Sequence, residues 1–216
     1  MTTQKGEMIR QLVIAAPNFQ SVQFGIIGTA PLVMHKFSEK SKRDMMDAMM
    51  KTKGSRMGKR DPKDFDESLH QAIHFSTEGW IGVPASAFRA AAISACRIVG
   101  FKMTLAKLGI FINPDGFDRD EGSPLVRLNG EYRAVDHTVR LAKAGSSTVV
   151  RRPMFDEWSM NVRVDYDGDM FSSADLYNLF ARVGLQVGLL EGRPDSTNSA
   201  GMGWGTFRID TVKEIR

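Results

Sequence analysis

The chain has 216 residues, 42% of them hydrophobic, which is enough to bury one sizeable core. Its formal net charge at pH 7 is +4, and a lone cysteine, Cys96, excludes an intrachain disulfide framework and is typical of the reducing cytoplasm. No run of about 18 apolar residues occurs, and residues 1–10 lack the apolar centre of a signal peptide, so we expect neither a transmembrane helix nor a membrane partner.

Apolar residues that alternate, or that recur at helical spacing, predict the elements of the first half. Val22, Phe24 and Ile26 alternate with other residues, which indicates a half-buried strand. Ser86 is a candidate N-cap for the clearest helix, and Gly100 would end that helix. The predicted elements are strands over 11–16 and 21–28, helices over 38–50 and 66–75, a strand over 80–83 and a helix over 85–99.

The second half is predicted to be mostly strands. Ser172 and Asp175 have the spacing of a capping box, which predicts the start of a second core helix there. The other predicted elements are strands over 107–112 and 124–128, a long hairpin over 132–155, and strands over 158–165 and 206–212. The core order strand, helix, strand, strand, helix, strand predicts an α+β protein with the ferredoxin-like β-α-β-β-α-β topology.

We expect one domain over residues 1–216, with its core at 21–35 and 79–212 and a helical insertion at 36–75. Residues 36–63 hold ten basic residues and four acidic ones, a net charge of +6 against −2 for the rest of the chain. Concentrated positive charge is typical of a protein that binds a phosphate backbone, although charge runs are often only solvated surfaces. The basic residues are Lys36, Lys40, Lys42, Arg43, Lys51, Lys53, Arg56, Lys59, Arg60 and Lys63.

A glycine-rich segment, residues 188–205, lies between the second core helix and the last strand. Its glycines permit backbone conformations that other residues avoid, and together with serine and asparagine donors they suit contacts to phosphates or sugars. The alternative is a loop that needs tight turns before an edge strand. The spaced glycines at 201, 203 and 205 precede a strand, whereas a dinucleotide-binding fingerprint opens a helix, and no Walker motif occurs, so we expect no nucleotide cofactor.

A second candidate site is the segment from Ile81 to Ala91, in which a strand leads into a helix N-terminus that could hold an anion. Arg89 and Arg97 lie off the apolar face of this helix. The alternative is a capped core helix with solvated arginines.

Together these two segments resemble the RAMP superfamily, the repeat-associated proteins of CRISPR systems. Residues 81–91 resemble its Ile-Pro-Gly-Ser-Ser-Leu-Lys-Gly-Ala-Leu-Arg element, and residues 174–209 resemble its C-terminal helix, Gly-Gly-Arg-x-Ser-x-Gly-x-Gly turn and strand. Ala85 and Ala90 replace two of the family's glycines, the glycine loop is longer, and the basic insertion has no counterpart. The resemblance is therefore that of a diverged relative of the CRISPR backbone subunits.

The resemblance implies an RRM-like fold and a non-catalytic subunit that binds single-stranded RNA, multimerises along it and contacts other CRISPR-like subunits. It also implies that a protruding hairpin inserts between bases. The implied hairpin cations are Arg140, Lys143, Arg151 and Arg152, and the implied contacts of the two motifs are Ser86, Arg89, Gly192, Arg193, Ser199, Gly201 and Gly203.

Three alternatives remain open at this stage. The chain could be a RAMP-like endoribonuclease, for which His35 is the candidate, a binder of single-stranded DNA, or a subunit mimic or structural filament without nucleic acid. His70 and His74 have the i, i+4 spacing of a zinc pair, but no His-Glu-x-x-His pattern or cysteine cluster accompanies them, so we expect no metal.

Overall fold

The computed structural model describes residues 14–37, 42–43, 46, 49–50, 64–140, 147–196 and 201–215. The helices are α1 (Phe65–Gln71), α2 (Ala85–Ile98), α3 (Met103–Gly109) and α4 (Ser173–Arg182), and α4 continues into a π-helical turn, Val183–Val187. The strands are β1 (Phe19–Gly28), β2 (Leu32–Val33), β3 (Gly82–Pro84), β4 (Ile110–Asn113), β5 (Gly116–Phe117), β6 (Pro124–Asn129), β7 (Tyr132–Arg140), β8 (Ser147–Phe155), β9 (Ser159–Asp167) and β10 (Phe207–Ile215).

The central sheet is antiparallel, with the strand order β10-β1-β9-β6-β3. Two short strands share the position beside β9: β4 pairs with one end, where Ile112 faces Val164, and β6 with the other, where Leu128 faces Met160. The predicted α+β fold is confirmed. The core order β1, α2, β4 with β6, β9, α4, β10 corresponds to the ferredoxin-like pattern, with its second strand split in two.

One face of this sheet is buried beneath α2 and α4. Val22, Phe24 and Ile26 of β1 point into that core, and the Phe24 ring stacks on Phe180 of α4 at a centroid distance of 4.9 Å. Ser172 and Asp175 form the predicted capping box, in which each side chain accepts a backbone amide of the other residue. The alternation in β1 and β9 thus places one set of side chains in the core and leaves the opposite face open.

The predicted hairpin is also confirmed and forms a second, three-stranded sheet of order β2-β8-β7. Its strands pair from Tyr132 with Phe155 to Arg140 with Ser147, and α1 packs on β8. The tip residues 141–146 lie outside the described residues.

Several boundaries differ from the predictions. The strand predicted over 107–112 begins only at Ile110 because α3 precedes it. Ala106 and Gly109 of α3 face inward and Leu105 and Leu108 remain exposed, so the largest apolar residues do not mark the buried side. Residues 14–16 are not in a strand. In the helix predicted over 38–50, the described residues 42–43, 46 and 49–50 are helical.

No helix among the described residues is long and apolar enough to cross a lipid bilayer. Among the same residues, no group of three or more histidine, cysteine, aspartate or glutamate side chains is arranged to hold a metal ion. His70 is exposed on α1 and His74 is buried, so the two histidines do not share a site.

Candidate nucleic-acid interface

The described part of the glycine-rich segment folds back on itself. A Cβ atom on Gly201 would lie 2.1 Å from the carbonyl oxygen of Arg193, and one on Gly205 would lie 2.1 Å from that of Leu189. The Met202 amide donates to the carbonyl of Gly192 at 2.7 Å. Gly201 and Gly205 are therefore required by the packing of the loop itself. This agrees with the alternative interpretation of the segment as a loop that needs tight turns before an edge strand.

One other predicted position of this segment, Gly203, differs from that pattern. Gly203 has a φ of +76° and no atom within 4 Å of its Cβ position, so its left-handed backbone faces open space. Ser199 lies outside the described residues. A backbone contact from this loop to a ligand is therefore best placed at Gly203.

A groove of about 580 Å³ separates α2 from the glycine-rich loop. The α2 wall of the groove consists mainly of alanine side chains, which combine high helix propensity with little bulk. This lets another backbone approach the helix closely. The lining residues from α2 are Ala87, Ala90, Ala91, Ser94 and Arg97, and those from the other side are residues 187–190, Arg193, Asp195 and Ser196.

Two guanidinium groups and one carboxylate give the groove its charge. Arg97 contacts Asp195 with an Nη2–Oδ1 distance of 2.8 Å, and Ser94 donates its hydroxyl hydrogen to the other carboxylate oxygen. The Ser94 hydrogen bond, followed by the Arg97 contact, holds the pKa of Asp195 below its usual value. Arg193 donates to the carbonyl oxygen of Leu190 at 3.2 Å. Asp195 therefore occupies the position where an anionic ligand would meet Arg97.

Arg89, the predicted anion contact on α2, does not line this groove. Its Nε donates to the carbonyl oxygen of Ile110 at 3.0 Å, Nη2 donates to that of Lys107, and the guanidinium lies 5.1 Å from the Phe111 ring centroid. Arg89 thus fastens α2 to the start of β4. The prediction that Ser86 caps α2 is wrong, since the helix begins at Ala85, and Pro84 occupies the cap position without a side-chain cap.

The basic insertion is partly neutralised by the acidic loop between β4 and β6. Lys36 is only 6% exposed, and its Nζ lies 2.8 Å from Asp118 Oδ1 and 2.7 Å from Asp120 Oδ2. Lys42 Nζ lies 2.5 Å from Glu121 Oε1. Lys36 is therefore a buried structural cation and is not available to a phosphate. Arg43 is exposed, whereas Lys40, Lys51, Lys53, Arg56, Lys59 and Arg60 lie outside the described residues.

Of the predicted hairpin cations, the two with described side chains, Arg151 and Arg152, are both paired. Arg151 makes a bidentate contact with Asp136, at 2.8 Å for each hydrogen bond, and also contacts Asp66 at 2.8 Å. This hydrogen bonding holds the pKa of Asp136 below its usual value. Arg140, whose backbone ends β7, and Lys143 have no described side chain. The sequence contained a signal for the Arg151 pairing, because a hairpin from 132 to 155 places residue 136 opposite residue 151.

The structure also assembles a cluster that the sequence did not indicate. Glu191 of the glycine-rich segment receives Arg152 Nε at 2.8 Å, and its carboxylate lies 3.6 Å from His35 Nδ1 and 3.4 Å from His137 Nε2. His137 Nδ1 is buried without a partner in the described chain, and its ring meets the Trp204 ring edge-on at 5.6 Å.

Burial, followed by the charge of Arg152, lowers the pKa of His35. His35 therefore has a carboxylate and a second imidazole beside it, supplied by elements more than 100 residues away. No short-range pattern in the sequence could reveal these partners.

Comparisons with known proteins show which solved structures have a similar fold. No protein-family model matches the chain, and no curated protein matches it. Among solved structures, a chain in the cryo-EM structure of the Type III-B Cmr-beta bound to cognate target RNA matches with a TM-score of 0.51 and 11% sequence identity. The match covers 92% of this chain and 61% of the other. The two chains share a fold, and this chain spans less than two thirds of the length of its structural neighbour.

Proposed function

We propose that this chain is a non-catalytic subunit that binds single-stranded RNA and multimerises along it, in the manner of a CRISPR backbone subunit. The groove between α2 and the glycine-rich loop carries the proposal, because Arg97 and Arg193 both line it beside small side chains. It is formed by the two segments that resemble the RAMP superfamily. The fold shared with a chain of an RNA-bound CRISPR assembly supports the same function.

In this proposal Arg97 and Arg193 hold phosphates, and Gly203 supplies a backbone contact. Hairpin residues Arg140 and Lys143 would add positive charge, as would Arg43, which is exposed, together with the predicted insertion cations other than Lys36 and Lys42. Asp195 competes with phosphate for Arg97, because both anions need the same guanidinium. Other CRISPR-like subunits are proposed partners, and single-stranded DNA is the competing ligand.

Anisotropy titrations of labelled single-stranded RNA and DNA at several salt concentrations test this function. We expect log K to fall linearly with log salt, and the variant carrying Arg97→Gln and Arg193→Gln to reduce the slope by up to about 1.4, since each phosphate contact on a single strand contributes roughly 0.7. Asp195→Asn should strengthen binding. Arg182→Gln, an exposed arginine on α4, is the matched control. Absence of binding at every salt concentration would overturn the proposal.

Self-association is tested separately by light scattering after size exclusion, with and without RNA. A particle mass that rises with strand length supports assembly along RNA. Large particles with the absorbance ratio of pure protein, and no effect of added RNA, would instead favour a structural filament without nucleic acid.

A second candidate function is endoribonucleolytic cleavage, favoured by the cluster around Glu191. A neutral His35 would accept the proton of a 2′-hydroxyl as its oxygen attacks phosphorus. The bond from phosphorus to the 5′-oxygen would break, and His137 would act as the general acid that donates a proton to that oxygen. Arg152 would stabilise the charge on the non-bridging oxygens. The products would carry a 2′,3′-cyclic phosphate and a 5′-hydroxyl.

This candidate is tested by incubating the protein with hairpin RNA in the presence of a chelator. Cleavage should be lost in both His35→Ala and His137→Ala and kept in His70→Ala, which alters an exposed histidine on α1. Intact RNA after prolonged incubation would remove the candidate and leave the non-catalytic function.

A further inference from the structure

The open face of the central sheet, opposite α2 and α4, contains a cleft of about 370 Å³. Small-ligand sites span roughly 300–1,000 Å³, so the cleft has room for a compact ligand. Its floor is Asn161 of β9, which alternates with the core residues Met160 and Val162 and therefore points to the open side. Its lining residues are Glu78, Trp80, Asp115, Arg127, Asn129 and Asn161.

Trp80 forms a preorganised aromatic wall of the cleft. A Cβ atom on Gly82 would lie 2.8 Å from the indole ring, and one on Gly116 would lie 2.7 Å from it, so glycines at both positions make room for the ring. Indole Nε1 donates to Glu78 Oε2 at 3.1 Å, which fixes the orientation of the ring. Contacts within the chain therefore fix the position of this wall.

The polar side chains of the cleft differ in whether they form hydrogen bonds within the protein. The Asp115 carboxylate does, since it accepts the Arg127 amide at 2.8 Å and Arg163 Nη2 at 3.1 Å. The side chains of Arg127, Asn129 and Asn161, in contrast, make no hydrogen bond or ion pair within the described part of the chain. The Arg127 guanidinium lies 5.8 Å from the centroid of Trp80. One guanidinium and two amides therefore converge on a cleft beside an indole.

We infer that this cleft binds a purine base. Asparagine pairs with the N6 and N7 edge of adenine and arginine with the O6 and N7 edge of guanine, so both kinds of unused side chain suit purines. The Trp80 ring supplies the aromatic surface on which unpaired bases stack. The base comes either from a free purine nucleotide or from an unpaired purine in a strand. Because the cleft lies on the face opposite the helices, this inference is separate from RNA binding in the groove.

The indole Nε1–H signal of Trp80 provides a direct probe in a ¹⁵N-correlated NMR spectrum. The chain has three tryptophans, so Trp80→Phe assigns the signal. We expect AMP and GMP to shift it at concentrations at which CMP and UMP do not. The variant with Asn129→Ala and Asn161→Ala should weaken purine binding roughly tenfold. Asn178→Ala, an exposed asparagine on α4, should leave it unchanged.

The source of the base is decided by adding oligoadenylate and oligouridylate strands to the same sample. A shift at lower concentration with oligoadenylate than with AMP assigns the cleft to a strand, and the reverse assigns it to a free nucleotide. No shift with any nucleotide, equal shifts with purines and pyrimidines, or unchanged purine binding in the double asparagine variant would each overturn the inference. Loss of RNA binding in the groove variants, with the purine shift retained, would affect the proposed function alone.

Discussion

Asp118 is a buried carboxylate that accepts hydrogen bonds from two side chains and two backbone amides. Its replacement by asparagine gives a quantitative test of the structure. Its oxygens accept Lys36 Nζ at 2.8 and 3.0 Å and His74 Nδ1 at 2.8 Å. They also accept the backbone amides of Asp120 and Glu121 at 2.9 and 3.0 Å. Asp118→Asn keeps the size of the side chain but leaves the ammonium of Lys36 with Asp120 as its remaining partner.

The expected loss follows from the burial of this network. Burial alone would raise the pKa of Asp118, but the hydrogen bonds from Lys36 and His74 and from two backbone amides outweigh it and lower the pKa to about 2. At 1.36 kcal/mol per unit, the fall from 3.8 represents about 2 kcal/mol of stability. Leaving a buried cation partly unpaired adds to this, and breaking such a pair costs about 3–5 kcal/mol. We expect about 3 kcal/mol, because Asp120 retains part of the contact.

The pH dependence has a defined sign. Because the folded pKa of Asp118 lies below its unfolded value, the carboxylate stabilises the fold fully above pH 4, and this contribution is lost as the pH falls towards about 2. The difference in free energy of unfolding between the wild type and the asparagine variant should therefore be largest near neutral pH and shrink in acid.

Urea unfolding at pH 7 and pH 3 measures both quantities. Asp210→Asn is the matched control, because Asp210 forms an exposed ion pair with Arg208, in which the side chains are 42% and 57% exposed. Exposed pairs contribute about 0–1 kcal/mol. A loss for Asp118→Asn no larger than that of the control, or one that is independent of pH, would refute the structural role assigned to Asp118.

Two further predictions concern stability. Gly201 has a φ of +73°, and a Cβ atom there would lie 2.1 Å from the Arg193 carbonyl oxygen, whereas a Cβ atom on Gly203 would meet open space. Gly201→Ala should therefore lower the free energy of unfolding, measured by heat or urea, by about 1–3 kcal/mol more than Gly203→Ala. Equal losses in the two variants would contradict the described loop packing. Burial lowers the pKa of His35 and His74 below 6.5, so in acid the unfolded chain binds more protons than the folded chain. The free energy of unfolding should therefore decline as the pH falls below about 6.5. A free energy of unfolding that stays constant from pH 7 to pH 5 would contradict this.

The elements that the sequence predicted well depend on local patterns. The alternation in β1 and β9 follows from burial of one face, and the Ser172 capping box follows from spacing alone. The order of the core elements along the chain was also predictable, because each core element carried its own local signal. α3 was missed because its buried face consists of Ala106 and Gly109, which give no apolar periodicity.

The candidate site was less predictable, because its electrostatics depend on distant pairs. The sequence alone predicts Lys36 to be a free cation, because its partner Asp118 is 82 residues away along the chain. Arg97 was recognised as lying off the apolar face, but its meeting with Asp195 depends on how the glycine-rich loop docks on α2. Burial and pairing, and not residue type, therefore decide which cations can reach a phosphate.

The meeting of Lys36 and His74 at Asp118 has a consequence for variation in the length of the insertion. The Lys36 amide also donates to the carbonyl oxygen of Ala72 at 3.0 Å, so both ends of the segment 37–73 are fastened at one place. The segment is thus a closed loop whose ends are fixed by the core. Insertions or deletions in this segment that spare α1 and the buried residues Ala72 and Ile73 should therefore change core stability little, since doubling the length of a flexible loop costs only about 0.6 kcal/mol of closure entropy.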